Sequence, residues 1–336
     1  MPRPFPRSAL TAASLLSGCL LLTGCGVVGG ASPTKTPTAT STPTATVTAT
    51  ATSTPTATAT VTPEPTDTPV PPTPPPPVGD VLPQGRTTVL RIARGDAAGA
   101  TAVFRGREYP MFADGADFWT PIGVGPDTAP GPYTLTVKLL DGGGALLATR
   151  ISTLTVSVTD FPVEYLEVPV DGPNGLRSPD DVQLELNIRA RVYAQVTPRK
   201  LWSGPFILPV QAPVTTAFGT ARSYNGGPVS LHHSGTDFGV PEGTPVLAAA
   251  SGRVAYAGML TTRGLSVIID HGLGVFTAYH HLSQANVTEG QTVQQGQVVA
   301  LSGMTGLATG PHLHWELVVG GENVDPTYWT FAGVAP

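Results

Sequence analysis

Residues 309–317 read Thr-Gly-Pro-His-Leu-His-Trp-Glu-Leu, with His312 and His314 one residue apart at the head of an apolar run. Such a run suits a strand, and on a strand residues i and i+2 share a face. His312 and His314 are therefore expected to present two imidazoles on one side of a sheet, with Leu313 and Trp315 on the other. All seven histidines of the 336-residue chain lie between His232 and His314. Whatever chemistry imidazole carries here is confined to the C-terminal third.

A second stretch complements the first: His232-His233-Ser234-Gly235-Thr236-Asp237-Phe238-Gly239-Val240. His233 and Asp237 are four apart, a spacing that shares a face on a strand as well as on a helix. Gly235, Gly239 and Pro241 argue against the helix. Two strands, one bringing His and Asp and the other two His, can converge on one cation. Imidazole and carboxylate form a ligand set that zinc accepts. Three protein ligands leave a fourth position for water, as a hydrolytic zinc requires. The chain contains no His-Glu-x-x-His stretch, so a helix-borne metalloprotease motif is excluded.

The rest of the chain places this region in an exported protein. Charged residues are 12% of the total, the net charge is −5, and the basic residues form no stripe. That balance argues against a nucleic-acid partner. Residues 1–24 read as a signal segment, with Arg3 and Arg7 ahead of an apolar run over 10–22. Leu22-Thr23-Gly24-Cys25 resembles the lipobox of exported bacterial lipoproteins, which implies that Cys25 is lipidated. Leu16-Ser17-Gly18-Cys19 fits the same pattern, but cutting at Cys25 leaves a fuller apolar core. The expected location is extracytoplasmic, with the membrane reached through the lipid anchor only. Both cysteines lie in this segment, so no disulfide framework or cysteine zinc site is available downstream.

Residues 25–81 form a Thr/Pro-rich linker with too few large apolar residues for a core, and disorder with polyproline-II character is expected. Extended, such a tract reaches on the order of 100 Å or more. Across 82–168, short apolar runs alternate with Gly-Pro and Asp-Gly-Gly-Gly punctuation, which suggests a β-sandwich of immunoglobulin type without its disulfide. Residues 169–204 read as a connector. Ser178-Pro179-Asp180-Asp181 is a good helix start; Val182, Leu184, Leu186 and Ile188 alternate like a strand, but a helix ending before Pro198 is expected. From 205 to 336 the chain is dense in strand signals, and the expected fold class is all-β.

Residues 206–329 resemble the lysostaphin/LytM-type zinc endopeptidases of bacterial peptidoglycan. The likeness rests on His233-x-Gly235-x-Asp237 with Gly243-Thr244-Pro245-Val246-Leu247-Ala248, on Tyr279-His280-His281-Leu282, and on Thr309-Gly310-Pro311-His312-Leu313-His314. It implies an antiparallel β-sheet with a substrate groove across it. It further implies zinc held by His233, Asp237 and His314, His281 and His312 as the catalytic pair, and peptidoglycan peptides as substrate. His280 is expected to point away from His281, His271 to sit in a turn, and Trp315 to pack behind the metal strand. A non-catalytic wall-binding regulator and a metal-stabilised adhesive module are the competing readings.

Overall fold

Alternation of small and large apolar residues builds the first module. The computed structural model describes residues 80–168, 176–229 and 231–331. The signal segment, Cys25 and nearly all of the Thr/Pro tract lie outside the described residues. Among the described residues, no helix is long and apolar enough to cross a membrane.

Strands β1 (Val81–Pro83), β2 (Thr87–Ala93), β3 (Gly99–Phe104), β4 (Arg107–Asp114), β5 (Asp117–Gly123), β6 (Gly131–Leu140) and β7 (Leu146–Ser157) form one sheet in the order β1-β7-β6-β3-β4-β5-β2. Every second residue of β3 is buried, namely Ala100, Ala102 and Phe104, as are Leu135, Val137 and Leu139 of β6. Strand β4 changes partner along its length. Arg107 to Met111 pair with β3, and Phe112 to Asp114 pair with β5. The sheet thereby folds around a core that also takes in Leu82, Phe118, Ile122 and Val156.

Between the modules run β8 (Val163–Leu166) and helix α1 (Pro179–Tyr193). Ser178 caps the helix by accepting a hydrogen bond from the Asp181 amide at 3.1 Å, Pro179 fills a first-turn position where no N–H is needed, and Asp180 and Asp181 face the positive helix end. The strand-like alternation does not reach the core: Val182, Leu184 and Leu186 are exposed. The residues α1 buries are Glu185, Arg189 and Val192, spaced at helical intervals.

The C-terminal module contains β9 (Val214–Thr216), β10 (Ala221–Tyr224), β11 (Leu231–His232), β12 (Thr236–Phe238), β13 (Pro245–Leu247), β14 (Gly252–Leu260), β15 (Gly264–Gly272), β16 (Val275–Ala285), β17 (Thr292–Val293), β18 (Val298–Ser302), β19 (Leu313–Val319) and β20 (Glu322–Val324). A ten-stranded antiparallel sheet runs β17-β14-β15-β16-β19-β12-β9, with β13, β18 and β20 joined at its sides. One face buries Val267, Ile269, Tyr279, Leu313, Trp315 and Leu317 in the main core. The other carries a smaller cluster, Ile268, Phe276, Ala278 and Val318, against which Val192 and Tyr193 of α1 pack. A separate sheet, β11-β10-β8, flanks it, with β8 lying parallel to β10.

The two modules share buried contacts. Trp119 of β5 packs in the main C-terminal core, Trp329 Nε1 donates to Thr87 Oγ1 at 3.0 Å, and Arg86 pairs with Asp325 at 2.8 Å.

His271, expected in a turn, instead closes β15 as a fully buried residue. Its ring nitrogens are bonded to Ser251 O at 2.9 Å and Thr277 Oγ1 at 2.7 Å. Burial pushes its pKa down to about 4. The unfolded chain therefore binds more protons than the native state between about pH 4 and the ordinary histidine value near 6.5. Stability is complete above that window and is lost as pH falls through it, by about 3 kcal/mol from this group. Thermal unfolding from pH 7 to pH 4 should show that decline. His271→Asn should be less stable at pH 7 yet lose less stability on acidification.

Candidate active site

Register decides which side chains meet. Asp237 of β12 lies directly opposite His314 of β19, and Thr236 and Phe238 lie opposite Trp315 and Leu313. Trp315 is fully buried against Phe238 behind the strand, on the core face. His233 reaches the same spot from the segment between β11 and β12, where its amide donates to Thr220 O at 2.8 Å. Gly235 makes the turn possible. A Cβ there would sit 2.3 Å from the Trp315 carbonyl oxygen, so only glycine lets the two backbones approach this closely.

His233 Nε2, Asp237 Oδ1 and His314 Nδ1 form a triangle with edges of 3.0, 2.7 and 2.9 Å. The remaining polar atom of each side chain is engaged. His233 Nδ1–H donates to Ala217 O at 3.0 Å, His314 Nε2–H donates to Glu316 Oε1 at 3.1 Å, and Asp237 Oδ2 accepts from Arg222 at 2.9 Å. With those atoms committed, three lone-pair atoms face one another. A shared divalent cation turns that mutual repulsion into attraction, and such partners on the far side of each ligand are what orient metal-binding imidazoles. Two imidazole nitrogens and one carboxylate oxygen suit zinc. The three residues are all buried, and they form a metal-competent cluster among the described residues.

His281 arrives by a backbone irregularity. Leu265 pairs with Leu282 and Val267 with Tyr279, so His280 and His281 together oppose the single residue Ser266. This bulge sits at His281, whose φ is +58°, a left-handed conformation uncommon for any residue with a side chain. In a regular strand His281 would share the core face of Tyr279. The extra residue turns it toward the metal ligands instead. His280 does not point the opposite way as alternation predicts. Both rings lie near His314, at centroid distances of 5.5 Å and 6.0 Å. His280 is fully buried and bonded to Ser266 Oγ at 2.8 Å.

The His281 and His312 rings stand 4.7 Å apart. His281 Nδ1–H donates to Thr305 O at 2.7 Å and His312 Nδ1–H to Gly310 O at 2.8 Å. Each ring therefore keeps its Nε2 lone pair free. His312 Nε2 lies 3.9 Å from Asp237 Oδ1, beside the ligand triangle. Burial, and after it the neighbouring His312 and His314, hold His281 well below the ordinary histidine range, so it is neutral at pH 7.

These groups open into a cleft of about 450 Å³. One wall is Glu164, Leu166 and Val168 at and beyond β8, and the other includes Thr309, Pro311 and His312. His232 takes no part in the triangle. Its Nδ1 lies 2.6 Å from Asp127 Oδ1 and its ring packs on Phe161. Asn225 clips Val168 through both its amide atoms. Sequence reasoning missed Glu316 and Arg222. Glu316 was within reach of it, because it follows His314 by two residues and shares its face. Arg222 lies on a distant strand with no local signal.

The fold and site define a class: a β-sheet hydrolase-like domain with a buried His/Asp/His cluster, suited to a metal ion, at the floor of a cleft. Residues 231–326 match peptidase family M23. The chain is 47% identical over 97 residues to an uncharacterized metalloprotease of Haemophilus influenzae, and 47% identical over 93 residues to the peptidoglycan DD-endopeptidase ShyA of Vibrio cholerae. Each alignment takes in 28% of this chain, and 20% and 22% of the relative respectively. The chain thus spans only about a fifth of the length of these curated relatives. The crystal structure of a protein described as a peptidase M23 from Pseudomonas aeruginosa superposes with a TM-score of 0.56 at 27% identity, over 73% of this chain and 93% of that one.

Gly235→Ala should lower the melting temperature and weaken zinc retention together. Forcing a methyl against a backbone carbonyl costs about 1–3 kcal/mol or more, and the strain falls on the segment that sets His233. Calorimetry and metal analysis of the purified variant check both.

Proposed function

We propose that the chain is an exported, zinc-dependent endopeptidase that hydrolyses peptide bonds of peptidoglycan stems or cross-links. The observation that carries this reading is the pairing of the ligand triangle with two imidazoles whose free Nε2 atoms face the same cleft. The names of the M23 relatives support the substrate class.

His233, Asp237 and His314 would hold the cation. When bound, it supplies a Lewis acid that polarises the scissile carbonyl and lowers the pKa of water to about 7. The chain's own residues do the rest. The Nε2 lone pairs of His281 and His312 are placed to accept the proton of the attacking water. A ring that has taken that proton becomes an N–H donor, able to bond the developing oxyanion or to protonate the leaving amine. The Thr305 and Gly310 carbonyls hold the tautomers that leave Nε2 free. The 450 Å³ cleft admits an extended peptide between the β8 wall and the 307–312 segment.

On the same reading, residues 82–168 are an immunoglobulin-like spacer or targeting module. Residues 25–81 are a tether from a lipid on Cys25, and the domain works in the cell envelope beyond the membrane. The mature chain, incubated with purified peptidoglycan, should release muropeptides cut within the peptide, as read by mass spectrometry. Chelation should abolish release and zinc restore it. His281→Ala and His312→Ala should retain zinc yet lose about 10²–10⁴-fold in kcat, whereas His233→Ala and His314→Ala should lose the metal. Full turnover in a zinc-replete His281→Ala variant would remove that residue from the chemistry. A zinc-loaded parent that releases nothing would favour the wall-binding regulator.

A further inference from the structure

Only the last turn of helix α1, Val192 and Tyr193, docks through apolar contact. Val182, Leu184 and Leu186 face solvent, while Glu185 and Arg189 are turned inward. Burying ionised groups is costly unless each is paired and fully hydrogen-bonded. Glu185 and Arg189 are both paired, although Arg189 Nε has no hydrogen-bond partner, and their partners lead to the metal site.

Arg189 donates to Glu316 Oε2 at 2.6 Å. Glu185 Oε1 accepts from Arg263 at 2.7 Å, and its Oε2 accepts the Thr262 and Arg263 amides at 2.6 and 3.2 Å. Arg263 Nε donates to Glu316 Oε1 at 2.8 Å. Ser234 and Asn323 complete the shell of Glu316, at 2.7 and 3.0 Å. Two carboxylates and two guanidiniums thus balance inside the protein. Burial pushes Glu316 up, but Arg189 and Arg263 more than offset it and hold the carboxyl well below its usual range. Glu316 in turn accepts the Nε2–H of His314, which leaves Nδ1 as the ligand atom. Arg263 reaches the other half of the site as well, because its carbonyl oxygen accepts the amide of His281 at the bulge, at 2.9 Å.

We infer that helix α1 is a working part of the metal site: Glu185 and Arg189 are positioning residues that, through Arg263 and Glu316, set the orientation of His314. This rests on the zinc reading above. It extends the functional unit upstream of the 231–326 match, to the Ser178 cap of α1. A peptidase unit begun at residue 205 would leave Arg263 and Glu316 without their helix partners.

The test uses the full mature chain and measures zinc affinity by competition with a fluorescent chelator, alongside the melting temperature of the metal-free protein. Glu185→Gln and Arg189→Met should each weaken zinc binding about tenfold or more, and Arg189→Lys should recover part of the loss. Val192→Ala is the control. It loosens the same helix through packing alone, so it should lower the metal-free melting temperature while the zinc Kd stays within about twofold of the parent. If Arg189→Met does not fold, Glu185→Gln decides.

A parent that binds zinc tightly, with Glu185→Gln within about twofold of it, overturns this inference alone. So does a Val192→Ala variant whose affinity falls as far as that of Glu185→Gln for the same loss of melting temperature. A parent that binds no zinc overturns the metal reading and this inference with it.

Discussion

Three acceptor atoms held within 3.0 Å of one another are the constraint on which the rest of the C-terminal module depends. Left to themselves they repel. The fold keeps them together by engaging the opposite atom of each side chain: a backbone carbonyl for His233, a guanidinium for Asp237, a carboxylate for His314. Two of those partners, the Ala217 carbonyl and Arg222, come from one segment ahead of the His233 motif, and the third, Glu316, from the strand of His314 itself. The site is therefore not made by the two motifs alone.

Glu316 shows how far this dependence extends. A carboxylate with no exposure is tolerable only with its charge balanced and its lone pairs filled. Arg189, Arg263, Ser234, Asn323 and His314 all contribute. Arg189 comes from helix α1, outside the region of family likeness, and Arg263 from the turn between β14 and β15. The N-terminal module is joined to the same sheet on another side, through Trp119, Thr87 and Arg86. The arrangement resists piecemeal change, since removing one member strands a buried charge.

The bulge at His280 and His281 is a different kind of device. A left-handed backbone at a histidine costs free energy that the surrounding sheet must offset. In return it redirects one side chain from the core face to the cleft. Arg263 O and Thr305 O hold the backbone and the ring in that position.

The sequence by itself determined the residue types and local spacing of the metal site. His233-x-Gly-x-Asp237 and His312-x-His314 can be read because β periodicity places side chains without reference to the rest of the fold. Gly235 was likewise visible, though its reason, the Trp315 carbonyl 2.3 Å from its missing Cβ, was not. Period-2 reasoning failed at His280, where an inserted residue breaks the alternation; at His271 the neighbouring glycines suggested a turn, and the residue is instead buried near the end of β15. On α1 the cap and first-turn signals correctly indicated a helix, and its alternating apolar residues face water. Tertiary structure alone decided that Arg222 backs Asp237 and that Glu185 and Arg189 stand behind Glu316. Such partners are selected by charge balance across strands remote in sequence, and that balance leaves no periodic trace in the chain.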